Sequence, residues 1–487
     1  MELWLLWYQT VAALRPACAR TRTFLWLLVV LAAMTVRTDL AGVTSLVRSH
    51  WLRPRCYHRL LYFFHSPALD LPKLIRTWTV LVVRLFTSSL VRVHGRVVLL
   101  ADGLKAPKEG KKMPAVKSLH QESAGNTKPT YIMGHSCQAV AFLVQAPGGC
   151  LAVPLACRIH EGLVFSNRWR RTLLDKLVGL LFDLGLESSF YLIADAYYAS
   201  RKVALPLLHR DHHLVTRLRT TATAYDPVAP RAARRRGRPK LYGRKIKLRD
   251  LFRSDDGFVT APSPVYGERG LTLRYRVLDL LWRPLGRLVR FVLVDHPTRG
   301  RLILLCTDTT LEALAIIRLY GWRFKIEVSF KQAIHTVGTY AYHFWMRAMT
   351  PIRRGEGNQY LHRKSDRYRA QVRRKLAAYE RHIQIGLIVQ GLLQYLAVFH
   401  RRAVWRFFGS WLRTENHALA PSELVVAHAL RNSFPDFLLS LPTGDALKKF
   451  LGPKLAPERC PNLALIELDQ AARTCHCSVM RGWWEIH

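Results

Sequence analysis

Acidic residues are scarce in this chain: 487 residues carry 33 Asp and Glu against 74 Lys and Arg, a formal net charge of +41. Such an excess of one sign repels itself in a compact state, and a bound polyanion is the simplest way to neutralise it. The imbalance therefore favours a nucleic-acid partner, without choosing between DNA and RNA. Cysteine spacing is uninformative in the same direction. Cys475 and Cys477 flank His476, but zinc ligands are more often two residues apart and no second pair lies nearby, so neither a zinc ribbon nor a disulfide framework is legible. Free thiols in a reducing, cytoplasmic compartment follow. The apolar run FLWLLVVLAAM, Phe24 to Met34, has 11 residues, whereas about 20 are needed to cross a bilayer. Arg20 and Arg22 precede it, but no clean small-x-small cleavage site follows. It reads as a buried helix, with no stable membrane association.

What is present is apolar content, half of all residues, in a chain too long for one ordinary hydrophobic core. Residues 1–88 read as packed helices with a basic surface, a DNA-binding region without a recognisable motif. From residue 89 to 216 strand character takes over. The segment TSLVRVHGRVVLLADG suggests a hairpin turning at Gly95, whose second strand ends in Asp102. Further strands are expected over Val140–Ala146 and Cys150–Cys157, a helix over Asn167–Leu184, and a strand FYLIAD ending in Asp195. Residues 217–300 are strand-like and include the pair LTLRYRVLDLLW and RLVRFVLVDH, too much for a simple loop and therefore a β-rich insertion. Residues 301–350 supply a last core strand, RLILLCTD, and a long helix expected over Thr309–His335; 351–487 form a basic helical region and tail.

Two apolar strands that each deliver an aspartate are more informative together than apart. Side by side, they hold two carboxylates within reach of shared metal ions. Mg²⁺ prefers such oxygen ligands, with Mn²⁺ as a substitute, and two ions assist in-line phosphoryl transfer. The third carboxylate comes from the helix LYGWRFKIEVSFKQAIH. At 100° per residue, Tyr320, Arg323, Glu327 and Lys331 share its polar face, opposite an apolar stripe through Leu319, Ile326, Phe330, Ala333 and Val337. The competing account is a surface charge network, Arg323 to Glu327 to Lys331, worth only tenths of a kcal/mol per pair.

These segments resemble the DDE transposases of bacterial insertion sequences, the group with a Tyr-x2-Arg-x3-Glu-x6-Lys helix signature. Tyr320, Arg323 and Glu327 match its first three positions, LLADG and LIADAYYAS match the two aspartate strands, and the likeness extends over roughly residues 90–350. It implies an α/β fold: an RNase H-like catalytic core with a β-rich insertion, flanked by helical regions. It also implies Asp102, Asp195 and Glu327 as catalytic metal ligands, with Tyr320 and Arg323 assisting. The signature Lys falls on Ile334, which leaves Lys331, one turn earlier, as the candidate to take over its phosphate contact.

The densest basic run, residues 231–249, holds ten Lys or Arg and no acid, with Arg234, Arg235, Arg236, Arg238, Lys240, Arg244 and Lys245 as candidate DNA contacts. Within it Arg236–Gly237–Arg238–Pro239 resembles the minor-groove core of an AT-hook. A second basic region contributes Arg363, Lys364, Arg367, Arg373 and Arg374. Trp282 and Trp322 have flat surfaces suited either to stacking on a base or to core packing. The expected activity is metal-dependent cleavage at insertion-sequence ends and strand transfer into target double-stranded DNA by a homodimer on paired ends. A nuclease without joining, or an inactive DNA-binding derivative of a transposase, are the alternatives.

Overall fold

The apolar runs that precede the two aspartates become neighbouring strands of one large mixed sheet. The computed structural model describes residues 2–121, 129–168, 171–228, 240–410 and 415–456. These fall into a sheet unit, Trp78–Lys331 with Ala348–Ala370, and a helical unit drawn from Met1–Thr77, Gln332–Arg347 and Gln371–His487.

In the sheet unit the strands are β1 (Arg92–Val93), β2 (Arg96–Pro107), β3 (Lys117–His120), β4 (Tyr131–Ala146), β5 (Gly149–Ile159), β6 (Leu163–Val164), β7 (Phe190–Ala194) and β8 (His213–Leu218). They are followed by β9 (Thr223–Tyr225), β10 (Lys245–Lys247), β11 (Val259–Pro262), β12 (Thr272–Trp282), β13 (Arg287–His296), β14 (Gly300–Cys306) and β15 (Gln359–Tyr360). The main sheet runs β10-β9-β12-β13-β14-β8-β7-β2-β4-β3, with β5 also on β4. Here β2 is antiparallel to β4 and β4 to β5, whereas β2, β7 and β8 run parallel. The expected hairpin of the 217–300 segment is β12 with β13, hydrogen-bonded through β14 into this same sheet.

The hairpin at Gly95 also forms. His94 and Gly95 both have positive φ, 46° and 75°, the geometry that lets a two-residue turn follow the strand twist. Its second strand, however, does not end at Asp102. Pairing with β4 continues from Leu99↔Phe142 to Pro107↔Gly134, so Asp102 lies inside β2, and only the β7 side of the ladder stops beside it. The helix expected from Asn167 is α6 below, which starts at Leu173 because Thr172 and Asp175 form a reciprocal capping box.

Helices in chain order are α1 (Glu2–Ala12), α2 (Thr21–Val36), α3 (Gly42–Ser49), α4 (Cys56–His65), α5 (Leu71–Leu85), α6 (Leu173–Asp183), α7 (Arg201–Leu208), α8 (Ala313–Gly321) and α9 (Lys325–Gln332). The remainder are α10 (Asp366–Phe399), α11 (Arg401–Phe408), α12 (Glu423–Ser440) and α13 (Ala446–Leu451). The single helix expected over Thr309–His335 is therefore broken: a 3-10 turn, Trp322–Phe324, separates α8 from α9, and a π-turn, Ala333–Val337, ends in left-handed Gly338.

Strand alternation sets the faces of the sheet. Val98 and Leu100 of β2, Tyr191 and Ile193 of β7 and Val215 of β8 share a buried cluster with Ile316, Ile317, Leu319 and Ile326 from the α8–α9 segment. Each fully buried aliphatic side chain there contributes roughly 1.5–3 kcal/mol, which clamps α8 onto this face.

In the helical unit the run Phe24–Met34 lies within α2, whose residues from Trp26 to Val36 are all buried, as expected. The buried guanidinium of Arg37, at its end, donates to the carbonyls of Val337 and Gly338 and tethers the π-turn to this unit. Among the described residues one helix, α10, is long and apolar enough to cross a membrane, and 89% of its apolar window is buried inside the protein.

Candidate active site

Continuing the parallel registers upward brings the site together. Leu100 is level with Ile193 and Ala194 with Thr216, so two further steps set Asp102 level with Asp195, and one sets Asp195 level with Arg217. By alternation all three stand on the face that carries Val98, Ile193 and Val215, beneath the α8–α9 segment. Adjacent strands lie about 4.8 Å apart, so the two aspartates are immediate neighbours.

Local hydrogen bonds hold each aspartate. Gly103 N–H donates to Asp102 Oδ1 at 2.7 Å. Asp195 caps the 3-10 turn Ala196–Tyr198 through Tyr197 N–H at 3.0 Å, and its carbonyl accepts from Thr216 Oγ1 at 2.7 Å. Arg323 spans the gap to the helix, donating to Asp102 Oδ2 at 2.9 Å and to Glu327 Oε1 at 2.7 Å. Burial pushes the Asp102 carboxyl up to about 6 against the pull of Arg323, and the negative charges of Asp195 and Glu327 push the same way. Burial works against the Arg323 charge, but Asp102, Tyr320 and Glu327 hold its pKa above the ordinary value. Burial also raises Tyr320, which feels Arg323, Arg217 and Asp195.

The structure thus brings Asp102, Asp195, Tyr320, Arg323 and Glu327 together. Lys331 is exposed and forms no ion pair among the described residues, so a surface network through Arg323, Glu327 and Lys331 is not what forms. Lys325, on the other side of the helix, sits 4.4 Å from the Tyr266 ring centroid. Among the described residues no three His, Cys, Asp or Glu side chains gather as a metal cluster; Arg323 stands between Asp102 and Glu327. The donor chemistry nonetheless suits a hard divalent cation. Asp102 and Asp195 are adjacent carboxylates whose mutual repulsion such an ion would relieve, and Glu327, tied to Asp102 through Arg323, is the third carboxylate present.

Arg217 has no counterpart in the sequence expectations. It projects into a cavity of about 410 Å³ with Tyr320, Arg323 and Phe324, exposed and with no ion pair among the described residues. The signal was available: HLVTRL is an apolar alternating strand that ends in charge, as FYLIAD does. Tyr198 was also missed. Its buried hydroxyl accepts from Gln138 Nε2 at 3.0 Å, and Gln138 Oε1 is 2.7 Å from His160 Nδ1, a polar chain behind the two aspartates. Burial raises the Tyr198 hydroxyl, with Asp102 and Asp195 adding to the effect.

The remaining candidates scatter. Lys240, Arg244 and Lys245 are exposed, and Arg244 pairs with Asp226 at 3.2 Å. Arg363, Lys364 and Arg367 are exposed in the sheet unit, Arg373 and Arg374 in the helical unit. Trp282 is buried and serves the core, and Trp322 packs partly buried against the central cluster. Arg234, Arg235, Arg236, Arg238 and the Cys475–Cys477 pair lie outside the described residues.

A family model described as DDE superfamily endonuclease matches residues 14–262, half of the chain. The chain belongs to the DDE superfamily endonucleases. The match takes in both aspartate strands and Arg217 but stops before Glu327, so the helix of this endonuclease is placed at the site by the fold alone. No curated protein matches the endonuclease chain. A cryo-EM structure of a piggyBac transposase synaptic complex with hairpin DNA is similar to it at 12% identity and a TM-score of 0.34, covering 91% of this chain and 80% of that one.

Proposed function

We propose that this endonuclease is a DNA transposase of the insertion-sequence type, cutting element ends and joining them to target double-stranded DNA. The observation that carries this reading is the level placement of Asp102 and Asp195 on adjacent parallel strands, under the helix that bears Glu327. The sheet supports an RNase H-like core: antiparallel β5-β4-β2 continued by parallel β7 and β8, with further strands inserted before the Glu helix. Tyr320, Arg323 and Glu327 support the insertion-sequence group, with Ile334 in place of its lysine.

Asp102, Asp195 and Glu327 would hold two Mg²⁺ ions, or Mn²⁺, which polarise the scissile phosphodiester and activate its nucleophile. Arg217, the cation at the site without a carboxylate partner among the described residues, takes a phosphate oxygen as a forked donor. Arg323 exchanges its carboxylates for phosphate when the strand binds, which frees Glu327. Tyr320 packs beside the DNA end, and Lys331 stands by as a further phosphate contact. Cleavage leaves a 3′-hydroxyl, which then attacks a target phosphodiester. The protein acts as a homodimer on paired ends, in the cytoplasm and at the bacterial nucleoid. Buried free cysteines support a reducing compartment, and burial of the apolar part of α10 supports a protein off the membrane.

The deciding experiment supplies paired element ends, a second duplex and Mg²⁺. Joining supports a transposase; cutting without joining makes it a nuclease, and binding without either leaves an inactive derivative.

A further inference from the structure

At the far end of β2 the sheet unit contains a cavity of about 860 Å³, separate from the carboxylates. Lys108 follows β2 directly, six residues beyond Asp102, so it lies about 20 Å along the strand direction and on the same side by alternation. Backbone hydrogen bonds fix the walls. Lys108 N–H donates to Met133 O at 2.9 Å, Ile352 N–H to Lys111 O at 2.7 Å, and Ser118 N–H to Glu356 O at 2.7 Å. The lining is of two kinds. Lys108, Lys111, Arg353 and Arg354 supply four cations against the single acid Glu109, and Lys111, Arg353 and Arg354 form no ion pair among the described residues. Apart from Ser118 the rest is largely apolar, with Met133 and the ring of Tyr131, 61% exposed, among the lining residues.

We propose that this cavity binds an unpaired stretch of a DNA strand, its phosphates on the cations and a base on Tyr131. The proposal rests on the DNA-acting reading above and adds a second contact point to it. A duplex offers a concavity of this size only phosphates, because its bases are stacked inside. A splayed strand offers both phosphate and a π-face, which matches the two kinds of lining. Lys108 lines the cavity as well, and burial depresses its ammonium to about 8. At about 3.4 Å per nucleotide, 20 Å places the unpaired stretch roughly six nucleotides from the scissile phosphate.

The test uses the full chain in chelator, so that no cutting occurs, and measures the anisotropy of a labelled twelve-residue oligothymidylate and of a duplex of equal length. Tyr131→Ala is expected to weaken single-strand binding about tenfold while duplex affinity stays within twofold, and Tyr131→Phe to bind as wild type. The double change Arg353→Ala with Arg354→Ala is expected to reduce the slope of log affinity against log salt for the single strand by about 1.4. These positions are exposed, and unchanged melting temperatures verify folding. Single-strand affinity untouched by Tyr131→Ala, or equal losses for single strand and duplex, overturns the proposal and leaves the transposase reading standing. Wild-type protein that binds neither DNA overturns both.

Discussion

The two aspartate strands and the glutamate helix build their parts of the site in different ways. Asp102 projects from paired backbone within β2 and Asp195 from the position that follows β7 and caps a 3-10 turn, and the Asp102 side chain is only 16% exposed. Glu327 projects from a helix interrupted on both sides, by a 3-10 turn and a π-turn, and its side chain is 54% exposed. Both aspartates are positioned by the register of the strands that lead to them, which a side chain cannot alter. Glu327 is fixed by one guanidinium, which a phosphate can compete for. In the proposed mechanism two ligand positions are thus set in advance, and the third would be assembled by side-chain movement.

The largest effect is expected at the fixed pair. Asp102→Asn or Asp195→Asn changes little in volume but removes a carboxylate worth several kcal/mol of transition-state stabilisation, so single-turnover cleavage in Mg²⁺ should fall about a thousandfold or more. DNA affinity in chelator should be largely retained. Cleavage at an undiminished rate by folded Asp195→Asn would remove it from the site.

Next come the two arginines, which sharpen the contrast. Arg217→Ala deletes a cation free to meet phosphate and should slow cleavage about 10- to 100-fold, the equivalent of one charged hydrogen bond. Arg323→Gln should also slow cleavage, but it removes a guanidinium that is already satisfied by two carboxylates. The melting temperature in chelator should therefore shift for Arg323→Gln and not for Arg217→Ala. Equal shifts would show that Arg217 is paired in solution.

A third test uses pH without metal. Asp102 sits above its ordinary value, so the folded chain favours the protonated acid. Stability from this group is present at about pH 4 and lost as pH rises through about 6, the reverse of a carboxylate held low by a partner. In chelator at pH 7.5, Asp102→Asn should be more stable than wild type by about 2–3 kcal/mol, with the difference vanishing near pH 4. Denaturant melts at the two pH values measure this, and a destabilised Asn variant at pH 7.5 would show that Arg323 outweighs burial.

The smallest effect is expected between two lysines of one helix. Lys331→Ala should slow cleavage or joining a few-fold, whereas Lys325→Ala should leave both rates alone and lower stability by about 0.5–1 kcal/mol, the worth of its contact with Tyr266. Single-turnover rates at saturating DNA on uncut and pre-cut ends separate the two steps. Equal rates for wild type and Lys331→Ala would mean that nothing on this helix replaces the lysine missing at Ile334.

Sequence by itself determined the apolar alternation around the two aspartates, the buried character of α2, the β12–β13 hairpin and the Arg323–Glu327 spacing, because each depends on a period of two or of 3.6 within one element. Strand lengths were less legible. Gly103 looks like a stop, yet β2 continues since β4 offers a partner as far as Gly134. Uniform helical projection likewise passed over the turn at Trp322–Phe324, and assigned Lys331 a nearness to Glu327 that no ion pair among the described residues expresses. Only the tertiary structure decided that Asp102, Asp195 and Arg217 stand level on three strands, and that Arg323 holds Asp102 and Glu327 at once. The reason is physical: alternation within a strand chooses the face of each side chain, but the height of one strand against the next is set by hydrogen bonds between segments nearly a hundred residues apart.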